Sequence, residues 1–192
     1  MSSKTQELQG DFGVWLVIYV ELFTFAVIFT GYSIARHQNI EMFNESQLLL
    51  NKSAGFINTI LLITSSWLVM KAVENIKNIY TDFDIEKASK YLLLAIGSGA
   101  LFVVSKVAEL FHVFGEGIDL STNTFFTFYI LLALFHLMHV LLGMFILFVL
   151  YNNTKKGKYS QNEHIGLESG ALYWHMVDLL WIVLFPLVYI MR

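Results

Sequence analysis

The segment Thr124–Tyr151 reads TFFTFYILLALFHLMHVLLGMFILFVLY and contains no Asp, Glu, Lys or Arg. A helix needs about 20 mainly apolar residues to cross the hydrocarbon core of a bilayer, and this segment exceeds that length. A soluble helix would carry polar residues along one face, and none of the charged types is present here. The segment therefore predicts a membrane-spanning helix.

Four further stretches meet the same criterion, at about Phe12–Ile34, Ala54–Val73, Ala88–Val113 and Gly170–Met191. The 192 residues are 56% hydrophobic and only 14% charged, whereas about a quarter of a soluble domain is charged. The connections between the stretches are too short to form further domains. We therefore expect an all-α integral membrane protein, with residues 1–192 forming a single transmembrane domain of five helices. The polar start of the chain lacks the features of a signal peptide, so we expect the first helix to be retained rather than cleaved off.

The composition also excludes several classes of function. The chain has no cysteine, which rules out disulfides, thiolate metal sites, cysteine nucleophiles and iron–sulfur clusters. The net charge is −3 and the basic residues form no stripe, so the sequence does not suggest nucleic-acid binding.

The basic residues in the connections predict the orientation of the chain. Loops that carry more Lys and Arg usually stay in the cytoplasm. Eight such residues fall on the side of the N-terminus and three on the other side: Lys4, Lys71, Lys77, Lys87, Lys90, Lys155, Lys156 and Lys158 against Arg36, Lys52 and Arg192. We expect the N-terminus in the cytoplasm and the C-terminus outside, or in the periplasm for an inner-membrane protein.

Ionisable side chains at bilayer depth are costly, so each one is a functional candidate. Counting from the outer helix ends at about 1.5 Å per residue places Glu21, His136 and Asp178 near one level, with His139 and His175 one level further inward. The sequence thus predicts a buried polar cluster of these five residues. In particular, Glu21 should lie within hydrogen-bonding reach of His136, His139 or a polar group of the last helix.

A second polar layer is predicted nearer the outer surface. Glu109 lies about five residues from the outer end of the third predicted helix, at the level of Asn58 in the second helix. Lys106 precedes Glu109 by three residues and shares its helix face. We expect Glu109, Lys106 and Asn58 to form an outer acidic layer, with Glu109 paired to Asn58.

These polar residues allow three functions. A metal or haem could be held by His136, His139 and His175, because histidine is a common ligand for both. The acids and histidines could instead relay protons in a small carrier, although the chain shows no repeated halves. The third possibility is a structural one, in which the polar groups hydrogen-bond to one another and hold the helices together. It is preferred to the metal site. Glu109-x-x-His112 resembles half of a carboxylate di-iron site, but its second half is absent.

Three further features concern helix packing. Pro186 predicts a kink in the fifth predicted helix. Gly97, Gly99 and their small neighbours predict close packing of the third. The aromatic pair Tyr173-Trp174 and Trp181 are interpreted as an interfacial belt or a packing surface.

Five motifs in the same order resemble subunit III of the haem–copper oxidases. Tyr173–Trp181, YWHMVDLLW, is similar to the W-H-F-V-D-V-V-W run of that family's last helix. Phe135–Val140 followed by Gly143 is similar to F-H-G-x-H-V-x-x-G. The other three matches are Ala108-Glu109, Asn58-Thr59 with Thr64-Ser65-Ser66, and Glu21-Leu22-Phe23. The resemblance extends from Phe12 to Ile190.

The chain departs from the family pattern at two positions. Leu137 replaces the glycine between the histidines, and Lys106 replaces a glutamine often found before the acidic position. The stretch from Met42 to Trp67 looks more like the NorE-like accessory branch linked with nitric oxide reductases. The five-helix length fits that branch and also quinol-oxidase subunit III.

The resemblance implies a non-catalytic accessory subunit that has no haem or metal of its own and carries bound phospholipid. Its partner would be the haem-bearing catalytic subunit of a terminal cytochrome c or quinol oxidase, or of a nitric oxide reductase. The accessory subunit would support assembly, stability and proton supply. Glu21 and Glu109 would be the family's two buried acids, and His136, His139, His175 and Asp178 its signature polar cluster.

Overall fold

The computed structural model describes residues 10–78 and 81–191, with the backbone alone at residues 82 and 83. The described residues form six α-helices and one short π-helix: α1 (Phe12–Gln38), α2 (Ile40–Gln47), α3 (Lys52–Lys77), α4 (Asp82–Gly115), α5 (Thr124–Lys155), α6 (Ile165–Phe185) and the π-helix Pro186–Ile190. Five of them are long and apolar enough to cross a membrane, namely α1, α3, α4, α5 and α6 with its π-helical extension. The prediction of an all-α chain with five spans is confirmed.

The helices begin where polar residues satisfy their free backbone N–H groups. Asp11 accepts a hydrogen bond from Gly13 N at the start of α1, and Asn51 accepts one from Ala54 N at the start of α3. Asn123 caps α5 in the same way, through Phe126 N. At the other end, α5 is followed by Gly157 with φ +66°, a left-handed conformation that glycine adopts without steric cost.

The predicted helices are shorter than the observed ones, because polar terminal residues continue each helix beyond its apolar segment. The first span runs on to Gln38 instead of Ile34, and the fourth to Lys155 instead of Tyr151. Helix α2 was not predicted, and it lies in the connection between the first two spans. This helix is only eight residues long, too short to show a reliable period.

Helix α6 is the central element of the bundle. Its most apolar 18-residue window is 61% buried, against 11% for α1. Helix α6 packs against α3, α5 and α1, while α4 packs between α3 and α5. Helix α1 is therefore a peripheral span, which contacts the bundle mainly through α6 and α5.

Helices α3 and α4 are joined by a reciprocal pair of serine hydrogen bonds. Ser65 Oγ on α3 donates to the Ala95 carbonyl at 2.9 Å, and Ser98 Oγ on α4 donates to the Leu61 carbonyl at 2.7 Å. Such interhelical bonds between small residues allow close backbone approach in membranes. The predicted close packing of α4 is thus observed, although Gly97 takes no part in it, since a Cβ at Gly97 would meet nothing within 4 Å.

The indole of Trp174 fills a slot between α4 and α5. A Cβ placed on Gly99 would lie 3.0 Å from Trp174 Cη2, and one placed on Gly143 would lie 2.8 Å from Cε3. Trp174 and Trp181 are 1% and 0% exposed. Both tryptophans are packing residues of the core, so of the two interpretations of these residues the packing surface is the one that the structure supports.

Pro186 ends α6 as an α-helix and begins a π-helical turn. Because proline has no N–H, the ladder changes register there, and Met191 N bonds to the Pro186 carbonyl at 2.9 Å. Helix α2 covers this turn, with Gln47 Nε2 donating to the Val188 carbonyl at 2.8 Å. The predicted kink is therefore a local change of helix type, and it directs Tyr189 into the bundle, where its side chain is fully buried.

Contacts at the opposite end tie the entry of α1 to the start of α6. Asp11 N donates to Ser169 Oγ at 2.9 Å, and Gly10 N donates to Glu168 Oε2 at 3.3 Å. Glu168 also forms an ion pair with Lys77 at the end of α3. Three spans thus meet around one carboxylate.

Candidate functional site

Glu21 and His139 form a polar contact between α1 and α5. Glu21 Oε2 lies 2.9 Å from His139 Nε2, while the other ring nitrogen, Nδ1, lies 2.6 Å from the Phe135 carbonyl. Phe25 packs edge-on against the imidazole at 5.3 Å between centroids. The geometry agrees with the expected hydrogen-bonding reach of Glu21.

The level of this contact differs from the predicted one, since Glu21 was expected beside His136. Helix α1 continues to Gln38, so Glu21 lies about four residues, or 6 Å, deeper than a count from Ile34 suggests. That shift brings it level with His139, one turn inward of His136. The Glu21 side chain remains 28% exposed, at the edge of the bundle.

His175 and Asp178 form a separate polar group between α6 and α3. Ser66 Oγ lies 2.5 Å from His175 Nδ1. Asp178 is 7% exposed, and its carboxylate oxygen Oδ1 has no hydrogen-bond partner among the described residues. The spacing of three residues puts both α6 side chains on the face that meets α3. The hydroxyl of Ser66 thus connects α3 to α6 through His175.

His136 lies apart from both groups, in an aromatic environment. Its ring packs on Trp181 at 5.2 Å and against the edge of Phe102 at 5.7 Å. Among the residues that the structure describes, neither of its ring nitrogens has a hydrogen-bond partner. The five residues predicted as one buried polar cluster are therefore divided into the Glu21–His139 pair, the Ser66–His175–Asp178 group and His136.

The most complete polar network of the bundle surrounds Lys106 and Glu109 in α4. Lys106 is 1% exposed, and its ammonium lies 3.2 Å from Glu109 Oε2, 3.2 Å from the Tyr129 hydroxyl and 2.5 Å from the Tyr189 hydroxyl. Both hydroxyls donate to Glu109 Oε1, at 2.9 Å from Tyr129 and 2.6 Å from Tyr189. The network joins α4, α5 and the π-helix.

Every donor of this network has an acceptor. The three N–H groups of the Lys106 ammonium face three oxygens, and each tyrosine donates to the carboxylate. A buried ion pair offsets its desolvation cost only when its remaining hydrogen-bonding groups are satisfied in this way. The arrangement indicates a structural role, because it holds neighbouring helices together and the charge of Lys106 is balanced by that of Glu109 inside the bundle.

The predicted pairing of Glu109 with Asn58 is wrong. The tyrosines occupy the Glu109 carboxylate, and the side-chain amide of Asn58, although fully buried, has no hydrogen-bond partner among the described residues. Tyr129 and Tyr189 were not predicted as partners of Glu109, because only side chains that are costly to bury as ions were candidates at bilayer depth. Tyr129 lies about five residues from the outer end of α5, at the level predicted for Glu109, and this coincidence was the available signal. His112, also considered at bilayer depth, is exposed near the end of α4 beside Glu116.

The described side chains do not fit a metal site. Within residues 10–78 and 81–191, no three His, Asp or Glu side chains lie close enough together to hold a metal ion. His136, His139 and His175 have different surroundings: two aromatic rings, a carboxylate on α1 and a hydroxyl on α3 respectively. The structure thus gives no support to the alternative in which these three histidines hold a metal.

Comparisons with known proteins identify the family. The family model described as cytochrome c oxidase subunit III matches residues 4–192. A cytochrome c oxidase subunit 3 of Synechocystis sp. is 35% identical over 181 residues, which cover 94% of this chain and 75% of the relative. A cytochrome bo(3) ubiquinol oxidase subunit 3 of Buchnera aphidicola is 30% identical over 197 residues, covering 99% of this chain and 98% of the relative.

A third relative, the cytochrome c oxidase subunit 3 of Thermostichus vulcanus, is 29% identical over 180 residues and is covered over 86% of its length. The match therefore includes all five spans and each of the polar groups described above. The chain belongs to the cytochrome c oxidase subunit III family.

Proposed function

We propose that this chain is a non-catalytic subunit of a respiratory haem–copper oxidase complex in the cell's inner membrane, where it binds the haem-bearing catalytic subunit. The observation that carries the proposal is how its intramembrane ionisable groups are used. Lys106, Glu109, Glu21 and His139 contact one another or tyrosines of neighbouring helices. Such pairing between neighbouring helices supports a structural role for these groups in the bundle.

The oxidase assignment is favoured over the nitric oxide reductase assignment. The similar proteins include cytochrome c and ubiquinol oxidase subunits. The nitric oxide reductase alternative rests on the stretch Met42–Trp67 and on the five-helix length, which quinol-oxidase subunit III shares. Because the similar proteins include subunits of both kinds of oxidase, they do not distinguish cytochrome c from quinol as the electron donor. The proposed partner is therefore the catalytic subunit of a haem–copper oxidase of either kind.

The proposed role is to stabilise the catalytic subunit and to support its proton supply. Glu21 is the intramembrane acid suited to the second role, because it lies at the bundle edge and is 28% exposed. Replacing it with glutamine keeps the shape and a hydrogen bond to His139 but removes the ionisable group. We expect a Glu21→Gln complex to assemble normally and to turn over more slowly than the parent complex, because glutamine cannot pass on a proton at this position.

The groove between α1 and the inner halves of α5 and α6 is a suitable place for the acyl chain of a bound phospholipid. It has a volume of about 430 Å³ and its lining is almost entirely apolar, including Val14, Val17, Leu142 and Ile146. A phospholipid there would fill the gap beside the peripheral α1.

The test is purification of the tagged chain from its native membrane in mild detergent, followed by mass spectrometry and a visible spectrum. Under the proposal a large haem-bearing oxidase subunit co-purifies, and all colour leaves with it when it is stripped off. Recovery of a nitric oxide reductase catalytic subunit would overturn the oxidase assignment. A stripped chain that stays coloured, or holds metal in a whole-number ratio, would overturn the non-catalytic role.

A further inference from the structure

A second groove lies where α4 begins and α5 ends, away from α1. Its volume is about 660 Å³, and it is lined by Ile85, Glu86, Ser89, Lys90 and Leu93 of α4 and by Tyr151, Lys155, Lys156 and Gly157 at the end of α5. Both helices reach the membrane surface at this level, since the apolar spans run from Asp84 and to Lys155. The groove therefore lies at headgroup depth.

The groove has an excess of positive charge. Lys90 forms an ion pair with Glu86 at 2.7 Å, so those two charges compensate each other. In the part of the chain that the structure describes, no ion pair involves Lys155 or Lys156. Lys155 Nζ lies over the Tyr151 ring at 5.9 Å, which keeps it beside the groove. Two ammonium groups thus remain available for an anion.

A buried hydroxyl lines the same groove. Ser89 is 7% exposed, and its Oγ has no hydrogen-bond partner within residues 10–78 and 81–191. Serines in helices commonly satisfy the hydroxyl on a carbonyl one turn back, as Ser33 does on Phe29. An unsatisfied buried hydroxyl is destabilising, so a ligand oxygen that accepts from Ser89 would be favoured. Lysines are common at a helix C-terminus because they interact favourably with the helix dipole, so Lys155 and Lys156 alone do not indicate a ligand. The observation that points to a ligand is the unpartnered hydroxyl of Ser89.

We propose that this groove binds the phosphate of an anionic phospholipid, with Lys155 and Lys156 pairing with the phosphate and Ser89 donating a hydrogen bond to it. The acyl chains would leave along Leu93, which lines the groove and is 53% exposed. Tyr151 has the amphipathic ring that favours the interface between headgroups and hydrocarbon. This is a second lipid site, separate from the groove beside α1 that was proposed above. It rests on the membrane placement of the chain, and the identity of the oxidase does not affect it.

The test is lipid binding to the purified complex, measured by native mass spectrometry and by the shift in melting temperature when lipid is added. Phosphatidylglycerol is the probe, phosphatidylcholine is the uncharged comparison, and inorganic phosphate tests for a free anion. We expect phosphatidylglycerol alone to stabilise the parent complex. The double variant Lys155→Gln/Lys156→Gln should bind it roughly 10- to 30-fold more weakly, given the usual contribution of lysines near anionic lipid.

The matched control is Lys87→Gln/Lys158→Gln. It removes two positive charges from the same side of the bundle, and neither residue lines the groove. It should bind phosphatidylglycerol as the parent does. Ser89→Ala should bind it several-fold more weakly, yet should melt no lower than the parent without lipid, because the variant has no unsatisfied hydroxyl.

Three outcomes would overturn the site. One is an equal loss of binding in both double variants, which would indicate a general surface charge effect. The second is equal stabilisation by phosphatidylcholine, and the third is equal stabilisation by inorganic phosphate, which would identify a free-anion site. Co-purification of the oxidase subunit is scored separately, so a failure here is distinct from a failure of the proposed function.

Discussion

Glu21 and His139 lie 2.9 Å apart and connect α1 to α5 through a polar contact inside the membrane. Helix α1 has few other buried groups, with Ile18, Phe25 and Tyr32 as its buried residues. The contact is therefore one of the few specific polar links between this span and the rest of the bundle.

A double-mutant cycle measures this contact. We expect Glu21→Ala and His139→Ala to show a coupling free energy of about 0.6–1.7 kcal/mol, the range for hydrogen bonds between helices in membranes. The measurement is the free energy of unfolding of the purified chain in detergent. Thr30→Ala provides the control, since Thr30 Oγ1 bonds to Ala26 within α1, and its effect should add to that of His139→Ala. Additivity of Glu21 and His139 would contradict the assignment.

Breaking the Lys106–Glu109 pair from one side should cost more than removing both charges. Lys106→Met leaves a buried carboxylate without its cation, which typically destabilises by about 3–5 kcal/mol. The double variant Lys106→Met/Glu109→Leu removes both charges and should recover part of that loss. Unfolding titrations of the three chains test this prediction, and a double variant as unstable as the single one would contradict it.

The Trp174 slot should tolerate no added methyl group. In Gly143→Ala the new Cβ would lie 2.8 Å from the indole, and overpacking of this kind typically costs about 1–3 kcal/mol. Gly97→Ala is the matched control, because its Cβ meets nothing within 4 Å. Alanine favours a helix over glycine by about 0.5–1 kcal/mol, so the control should be neutral or slightly stabilising. Melting temperatures of the two variants in one detergent make the comparison.

The orientation can be tested with single cysteines, since the chain has none of its own. Leu120→Cys lies in the exposed turn between α4 and α5, and Asn162→Cys lies in the exposed connection between α5 and α6. A maleimide that cannot cross membranes should label Leu120→Cys on intact cells and Asn162→Cys only after permeabilisation. The reverse pattern would place the N-terminus outside.

The number and order of the spans could be predicted because hydrocarbon thickness sets the length of an apolar segment. The ends could not, since polar residues such as Gln38 and Lys155 continue the helices into the interface. Helix α2 was missed because it is short and lies against the π-helix, where Gln47 serves the Val188 carbonyl. That partner is 141 residues away and leaves no local signal.

The depths of the polar residues could be predicted more closely than their hydrogen-bond partners. Depth along a helix follows from the rise per residue, and it brought Glu21 within one turn of His139. Which helices are neighbours does not follow from depth, so Glu109 was assigned to Asn58 instead of Tyr129 and Tyr189. The tyrosines carry no charge at neutral pH, and a search for costly ionisable groups passes over them.

The peripheral position of α1 has a consequence for the order of events during synthesis. Among the described spans, α1 is made before α3 and α4, and its main partners, α5 and α6, are made after them. Until α5 is made, Glu21 lacks its partner His139. Helices α3 and α4 can already pair by then through Ser65 and Ser98. The packing of α1 into the bundle is therefore completed only after α5 and α6 have entered the membrane.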